Sequence, residues 1–370
     1  MSHRSAASFR RIAGFISLAS ALAGPLGAQS SVKPLPRAAQ PSSLAWNLLD
    51  QRATILNDVG DADGPLLGSG TVAPVVDDVA VVPRALPSQT HAPVVVDRGP
   101  TVELEVQGSG HPSSSLKDGG GEVNVGRAGW DARAGWHTGK NSALTVALHS
   151  EASFYQFADA AALIPGSGDN APFNDVYETS LGATLCVDAS ERMAWFSTAA
   201  VTLAGEDNAA IGSSITLAAV SGVRFQARDD LAFDLGLAVA THHEQSPWVF
   251  PYLGFDWRID DGVRFGTNGS SVHLAFDLND KWTLSGEAAY KLREYRLNDD
   301  NPLPSGAFRD QEIDVGAALE WHPQPNTRLR VEGGIIAWRE LEMFDSSGSQ
   351  VSEIEVDPVP YAAFSLQFGF

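Results

Sequence analysis

From Thr101 to the C-terminus, apolar and polar residues alternate with a period of two, the pattern of strands that show one apolar and one polar face. In the first run Val102, Leu104 and Val106 alternate with Glu103, Glu105 and Gln107. In residues 142–157, Leu144, Val146, Leu148, Ala152 and Phe154 oppose Thr145, His149, Glu151 and Ser153. The clearest case is residues 231–241, where Leu231, Phe233, Leu235, Leu237 and Val239 face away from Ala232, Asp234, Gly236 and Ala238. Followed to the end, the pattern predicts strands at 102–106, 122–136, 142–157, 175–188, 192–204, 213–227, 231–241, 248–259, 263–266, 271–278, 281–296, 311–322, 327–343 and 355–370. That is about fourteen, most of roughly the 9 to 11 residues that a tilted membrane-spanning strand needs or somewhat longer.

The connections sort by length. Short turns fall near Gly139, Ser190, Asp229, Asp261, Asp280 and residues 323–326, with longer segments between them, although the loop at 267–270 is short too. In an outer-membrane barrel both termini lie in the periplasm, the short connections lie on that side and the strand number is even. If 263–266 is not a strand, 102–106 must be dropped as well, which leaves about twelve. The aromatics agree with this orientation: Trp136, Trp195, Phe225, Phe233, Trp257, Trp282, Trp321 and Phe370 all sit on the apolar face near the short turns or at the terminus, as an interfacial girdle would. A soluble sandwich would spread them along its strands. The expected fold is therefore all-β, an antiparallel transmembrane β-barrel.

The last strand, 356–370, carries Val356, Ala362, Phe364, Leu366, Phe368 and Phe370 on one face and Asp357, Tyr361, Ser365, Gln367 and Gly369 on the other. It resembles the C-terminal signal strand of bacterial outer-membrane barrels, which ends on Phe. That resemblance implies recognition of Tyr361, Phe364, Leu366, Phe368 and Phe370 by the barrel-assembly machinery, with periplasmic chaperones as further partners. Two strand-turn-strand units, Phe255-Asp256-Trp257-Arg258-Ile259-Asp260-Asp261 and Phe276-Asp277-Leu278-Asn279-Asp280-Lys281-Trp282, give residues 101–370 a resemblance to an uncharacterised family of predicted bacterial outer-membrane barrels. No functional residue is carried over from it.

What precedes the alternation has a different character. Residues 1–28 have the parts of a cleaved export signal: Arg4, Arg10 and Arg11, an apolar core over 12–22, and Leu26-Gly27-Ala28 before Gln29. No cysteine follows to accept a lipid. Residues 29–100 are rich in Pro, Ala, Val and Asp and lack a sustained period, so a flexible periplasmic segment is expected, with 75–82 and 94–96 apolar enough to dock in a barrel mouth.

Composition narrows the function. The formal net charge of −20 disfavours nucleic acid. Beyond the N-terminus no run of about 18 apolar residues exists for a helical span. The single cysteine, Cys186, allows no intramolecular disulfide and no multi-cysteine metal site. No cofactor is implied, and oligomeric state is left open. The partner expected for the apolar faces is outer-membrane lipid.

The polar faces project into the lumen, and the candidates to line it are Arg127, Asp131, Arg133, Glu151, Asp234, Arg258, Asp277, Glu287, Arg293, Asp314, Arg330 and Glu332. Mixed charges at this density require either water or mutual pairing. A wet lumen is a pore, weakly selective for cations given the excess of acids; a paired one is a plug. The expected function is passive, porin-like passage of small solutes, with a structural, adhesive or hydrophobe-carrying barrel as the alternative. An enzyme is the rival class, through His242-His243-Glu244 with Ser246 in an outer loop as a hydrolase site. Asn298-Asp299-Asp300-Asn301 has the oxygen donors for a hard cation, although such runs are usually solvated turns.

Overall fold

The computed structural model describes residues 100–117, 121–139, 141–165, 171–173, 175–243 and 247–370. The expected signal sequence of 1–28 and the proline-rich segment 29–100, apart from its last residue, lie outside them, as do Glu244 and Ser246.

Alternation over Thr101–Gly369 produces strands with almost no interruption: β1 (Thr101–Ser115), β2 (Glu122–Gly139), β3 (Ser142–Ala158), β4 (Asp175–Ser190), β5 (Met193–Glu206), β6 (Ile215–Arg228), β7 (Leu231–Ala240), β8 (Trp248–Asp260), β9 (Val263–Asn268), β10 (Ser271–Asn279), β11 (Trp282–Arg296), β12 (Ala307–Gln324), β13 (Thr327–Phe344), β14 (Gln350–Val356) and β15 (Val359–Gly369). Each of β1 to β13 pairs antiparallel with the next. β13 then pairs with β14 along Arg339–Phe344 and with β15 along Thr327–Ile336, so β14 and β15 are the two halves of one wall strand, divided at Asp357 and Pro358. β15 returns to β1, from Glu103↔Gly369 to Gly110↔Ala362, and closes the ring. The fold is thus a closed antiparallel barrel of fourteen wall strands.

Six connections, after β2, β4, β6, β8, β10 and β12, are two-residue turns at one end. Three strands extend further at the other end than alternation suggested. β1 continues through His111 to Ser115, β12 begins at Ala307 and β14 at Gln350. Apolar-out patterning lapses there, while each extension keeps a backbone ladder to a neighbouring strand.

The barrel is apolar outside and polar inside. Leu181, Leu217, Leu235, Leu237, Val249, Val331 and Phe364 are among many large hydrophobics left exposed on its outer face. Glu105, Arg127, Asp131, His149, Asp310, Glu312 and Arg339 are buried within. A water-soluble domain rarely leaves more than a few hundred Å² of contiguous apolar surface uncovered, and here such residues encircle the molecule. Trp136, Trp195, Phe225, Phe233, Trp282, Trp321 and Phe370 are exposed at the short-turn end, Trp282 and Trp321 stacked with centroids 5.9 Å apart.

One strand departs from the wall. The β9–β10 hairpin is short, its ladders ending at Asp256↔Gly266 on β8 and Ser271↔Ala289 on β11. Above it, the facing edges of β8 and β11 carry no strand ladder among the described residues other than one parallel bridge, Arg296↔Gly205, between β11 and β5 on the far wall. The upper part of β11 folds inward. Its Leu292 packs among Val220, Ala238, Phe250 and Tyr252, inward-facing residues of β6, β7 and β8. On its other face the Tyr295 hydroxyl lies 3.3 Å from Ser153 Oγ on β3. Gly205 permits this crossing, since a Cβ there would stand 2.9 Å from the Arg296 carbonyl oxygen.

The long-loop end of the interior is also filled. Leu116, Val123, Val125, Tyr155, Leu163, Phe173, Tyr295, Phe308, Leu341 and Met343 form an apolar core there, made by the strand ends and by the connection between β3 and β4.

Candidate functional site: the barrel interior

Beneath that apolar core the inward positions of β2, β3, β11, β12 and β13 bring charges together. Asp310 accepts from Arg339 twice, Nε to Oδ1 and Nη2 to Oδ2, both at 2.8 Å. It accepts as well from Arg127 Nη2 at 2.9 Å and from the Tyr155 hydroxyl at 2.6 Å. The two-pronged guanidinium pairing is the strong form of this interaction. Arg293 donates to Glu312 at 2.8 Å, and its Nε stands 3.6 Å from Glu151 of β3, almost diametrically opposite. His111 Nδ1 donates to the Pro112 carbonyl at 2.8 Å, which leaves Nε2 to accept from Arg339 Nη1 at 2.6 Å. Arg339 with Asp310 and Arg293 with Glu312 join neighbouring strands, whereas Arg127 with Asp310 and Arg293 with Glu151 bridge walls, which the infolded β11 brings within side-chain reach.

Toward the short turns a second set follows. Arg330 bridges Glu332 at 2.6 Å, Glu320 at 2.8 Å and Glu287 at 3.2 Å. The Tyr361 hydroxyl donates to Glu332 at 2.5 Å, its ring lying over Gly316 and Gly334, where a Cβ would collide with it. Lys291 meets Asp314 at 2.6 Å. On the other wall Asp131 faces His149 Nδ1 at 3.0 Å, Arg133 meets Glu103 at 3.4 Å, and Arg224 lies between Asp234 and Asp256. Arg264 and Asp277 pair at 3.1 Å. Of the charged residues singled out from sequence, Arg258 is exposed beside the β8–β9 turn, and the other eleven are in ion pairs. Between these walls remains a cavity of about 130 Å³, lined by Arg127, Glu151, Glu287, Lys291, Arg293, Glu312, Asp314, Arg330, Glu332 and Tyr361, among others.

Asp310, Arg339 and His111, which tie the upper set together, were absent from the sequence candidates. His111 and Asp310 stand in strand extensions expected to be loops. Arg339 was hidden by a bulge: the β12–β13 register slips between Ile313↔Trp338 and Asp314↔Ile336, which turns the following odd positions of β13 inward. The aromatic row on the last strand faces outward, Phe364, Phe368 and Phe370 being exposed and Leu366 half-buried.

The loop candidates resolve differently. His242 pairs through Nδ1 with Glu294 of β11 at 2.9 Å and stacks on Trp248, 4.1 Å between centroids. The His243 Nδ1 contacts the Ser213 carbonyl, and burial pushes its imidazole below the ordinary value. Asn298 and Asn301 are engaged in holding their loop: Asn301 Nδ2 donates to the Pro172 carbonyl and to Glu206, while Ser305 donates to Asp299. No group of three potential metal ligands occurs among the described residues. Cys186 is partly buried on β4.

Fold and interior together define a closed fourteen-stranded β-barrel with an apolar exterior and an ion-paired interior. The chain belongs to the family described as Domain of unknown function (DUF6268), which matches residues 184–369. No curated protein matches it. Among solved structures it resembles a TodX monoaromatic hydrocarbon channel mutant, at 8% identity over 74% of this chain and 90% of that one, with a TM-score of 0.42. It also resembles Pseudomonas putida OprB, at 9% identity over 74% and 95% with a TM-score of 0.34. The KdgM porin in complex with disordered oligogalacturonate matches at 12% identity over 72% and 99%, TM-score 0.30. These likenesses are too loose to speak of substrate.

Proposed function

We propose that this chain is a bacterial outer-membrane barrel of the channel type, exported by its N-terminal signal and inserted by the assembly machinery through its aromatic last strand. In this reading its lumen is narrow and selective, not a wide aqueous pore. The observation that carries the reading is the inverted distribution of side chains: an apolar belt faces outward around fourteen strands, and the charges inside are paired, mostly between neighbouring strands and, at Arg127–Asp310 and Arg293–Glu151, across the lumen. Hydrocarbon is the solvent in which such a belt is stable, and a closed barrel is one of the two backbone arrangements that leave no unpaired edge there. The paired charges argue against open, porin-like conduction. An unpaired charged lumen would be hydrated throughout, whereas here guanidinium and carboxylate satisfy each other and β11 occupies the space between walls.

Conductance of the full chain refolded in a planar bilayer tests this, alongside a chain lacking residues 29–100. Both are expected to be electrically quiet. Leu292→Asp, which charges the apolar face by which β11 packs on β6 to β8, is expected to bring steady current. Large steady conductance from the unaltered chain would overturn the selective reading, and a rise only on removing 29–100 would make that segment the stopper in place of β11.

A further inference from the structure

Besides the open edges of β8 and β11 above the β9–β10 hairpin, the ring of hydrogen bonds is interrupted at a second place in the wall. Between β1 and the last strand the ladder stops at Gly110↔Ala362 and resumes only at the bridge Leu116↔Val356, supported by Asp357 N to the Ser115 carbonyl at 2.9 Å. In the gap stand Pro112 on one side and Pro358 and Pro360 on the other, three residues with no N–H to leave unsatisfied. β13 holds Val359 and Pro360 in register throughout, so the opening is on the β1 side alone.

The gap opens into a groove of about 550 Å³. Pro112, Phe154, Pro360 and Ala362 give it apolar walls, and at Gly126 a Cβ would meet nothing. It lies at the level of the belt: Pro360 pairs with Ile335, which pairs with Val315, and both partners are exposed on the apolar face. The groove adjoins the interior cavity across the wall. Gly110, His111 and Tyr361 line it and also line the interior cavity. Of the residues lining that cavity, Arg127, Glu312 and Asp314 each have a buried side-chain atom, Nε, Oε2 and Oδ1 respectively, with no hydrogen-bond partner among the described residues.

Resting on the reading that the outer face contacts lipid, we propose that the β1–β15 gap is a lateral binding site and passage between bilayer and cavity for a single-chain amphiphile with an uncharged, hydrogen-bonding head. The alkyl chain lies in the groove against Pro112, Phe154 and Pro360. The head passes between His111 and Tyr361 and donates to Glu312 Oε2 or Asp314 Oδ1. An anionic head is disfavoured because Arg127, Lys291, Arg293 and Arg330 already have carboxylate partners. The apolar core above the network closes the route along the axis at that end, which leaves the wall as the way in from the bilayer.

Photolabelling tests this. The full chain in phosphatidylcholine vesicles is mixed with dodecanol bearing a diazirine close to its hydroxyl, irradiated, and its labelled residues located by peptide mass spectrometry. The expected result is label on the belt residues Leu235 and Leu237, on the groove, and on Tyr361 and Lys291 in the cavity, with dodecanoic acid bearing the same diazirine failing to label the cavity. Gly126→Trp, which fills the groove, is expected to take cavity labelling to background and leave Leu235 and Leu237 unchanged. If that variant does not fold, Ala362→Leu serves the same purpose. Label confined to belt and groove makes the groove a dent filled by ordinary lipid and overturns the proposal, as does cavity labelling that survives a filled groove. Absence of label from the belt itself overturns the membrane reading, and this inference with it.

Discussion

Remove the carboxylate of Asp310 and two guanidiniums and a phenol, all shut away from water, lose an acceptor together. Breaking a buried pair by deleting one partner costs about 3–5 kcal/mol, because the remaining charge stays buried without compensation. Asp310→Ala should therefore lower the unfolding free energy of the refolded barrel by an amount of that order, read as a lower urea midpoint for its heat-modifiable band on gels. Pairing it with Arg339→Met should recover part of the loss, since the double variant leaves fewer stranded charges. A smaller effect belongs to Asp345, whose carboxylate accepts from the backbone of Ser347 and Ser349 and from the Ser347 hydroxyl and is held below the ordinary value by those bonds. The lowered value means the turn is secured at neutral pH and loosens as pH falls through that depressed pKa. The Ser347 amide resonance should titrate with a midpoint under the ordinary 3.8; a midpoint above it would show the bonds to be absent in solution.

At the scale of the strand, period-two alternation and turn chemistry made the fourteen-strand ring legible, down to the short β9 that decides between fourteen and twelve. Which polar residues point inward could be listed by parity. Two kinds of information were not available to parity. A bulge in β13 reverses it, which is why Arg339 escaped notice, and pairing partners from opposite walls share no local pattern. Nothing in the alternation of β11 marks the point where it leaves the wall, except that Glu294 and Arg296 replace the apolar residues of its outer face. The packing of Tyr361 on Gly316 and Gly334 is likewise visible only in three dimensions, yet it fixes how β15 sits on its neighbours. A Cβ at Gly334 would collide with the Val315 carbonyl as well as with that ring. Gly334→Val should prevent the compact, heat-modifiable form from appearing, whereas Gly126→Ala, with open space around it, should leave it unchanged.

For the whole molecule, the outward placement of tryptophans at the short-turn end gives a direct test of the solvent around it. In vesicles of lipid brominated along the acyl chains, emission should be strongly quenched relative to unbrominated lipid, because Trp195, Trp282 and Trp321 are exposed on the apolar face. Equal emission in both lipids would remove the belt from the membrane.

The infolded end of β11 makes the stopper and the wall one piece of chain. A separate plug can be cut free or pulled out as a unit, leaving an open tube. This one is bonded to β12 along its full length, from Trp282↔Trp321 to Arg296↔Ala307, so it cannot be ejected without tearing the barrel. Protease acting on the outer loops should leave the lumen shut. On the proposed reading, opening is a swing of the residues above Ala289 together with the end of β12 they pair with, the strand returning to the same seat against Gly205 each time.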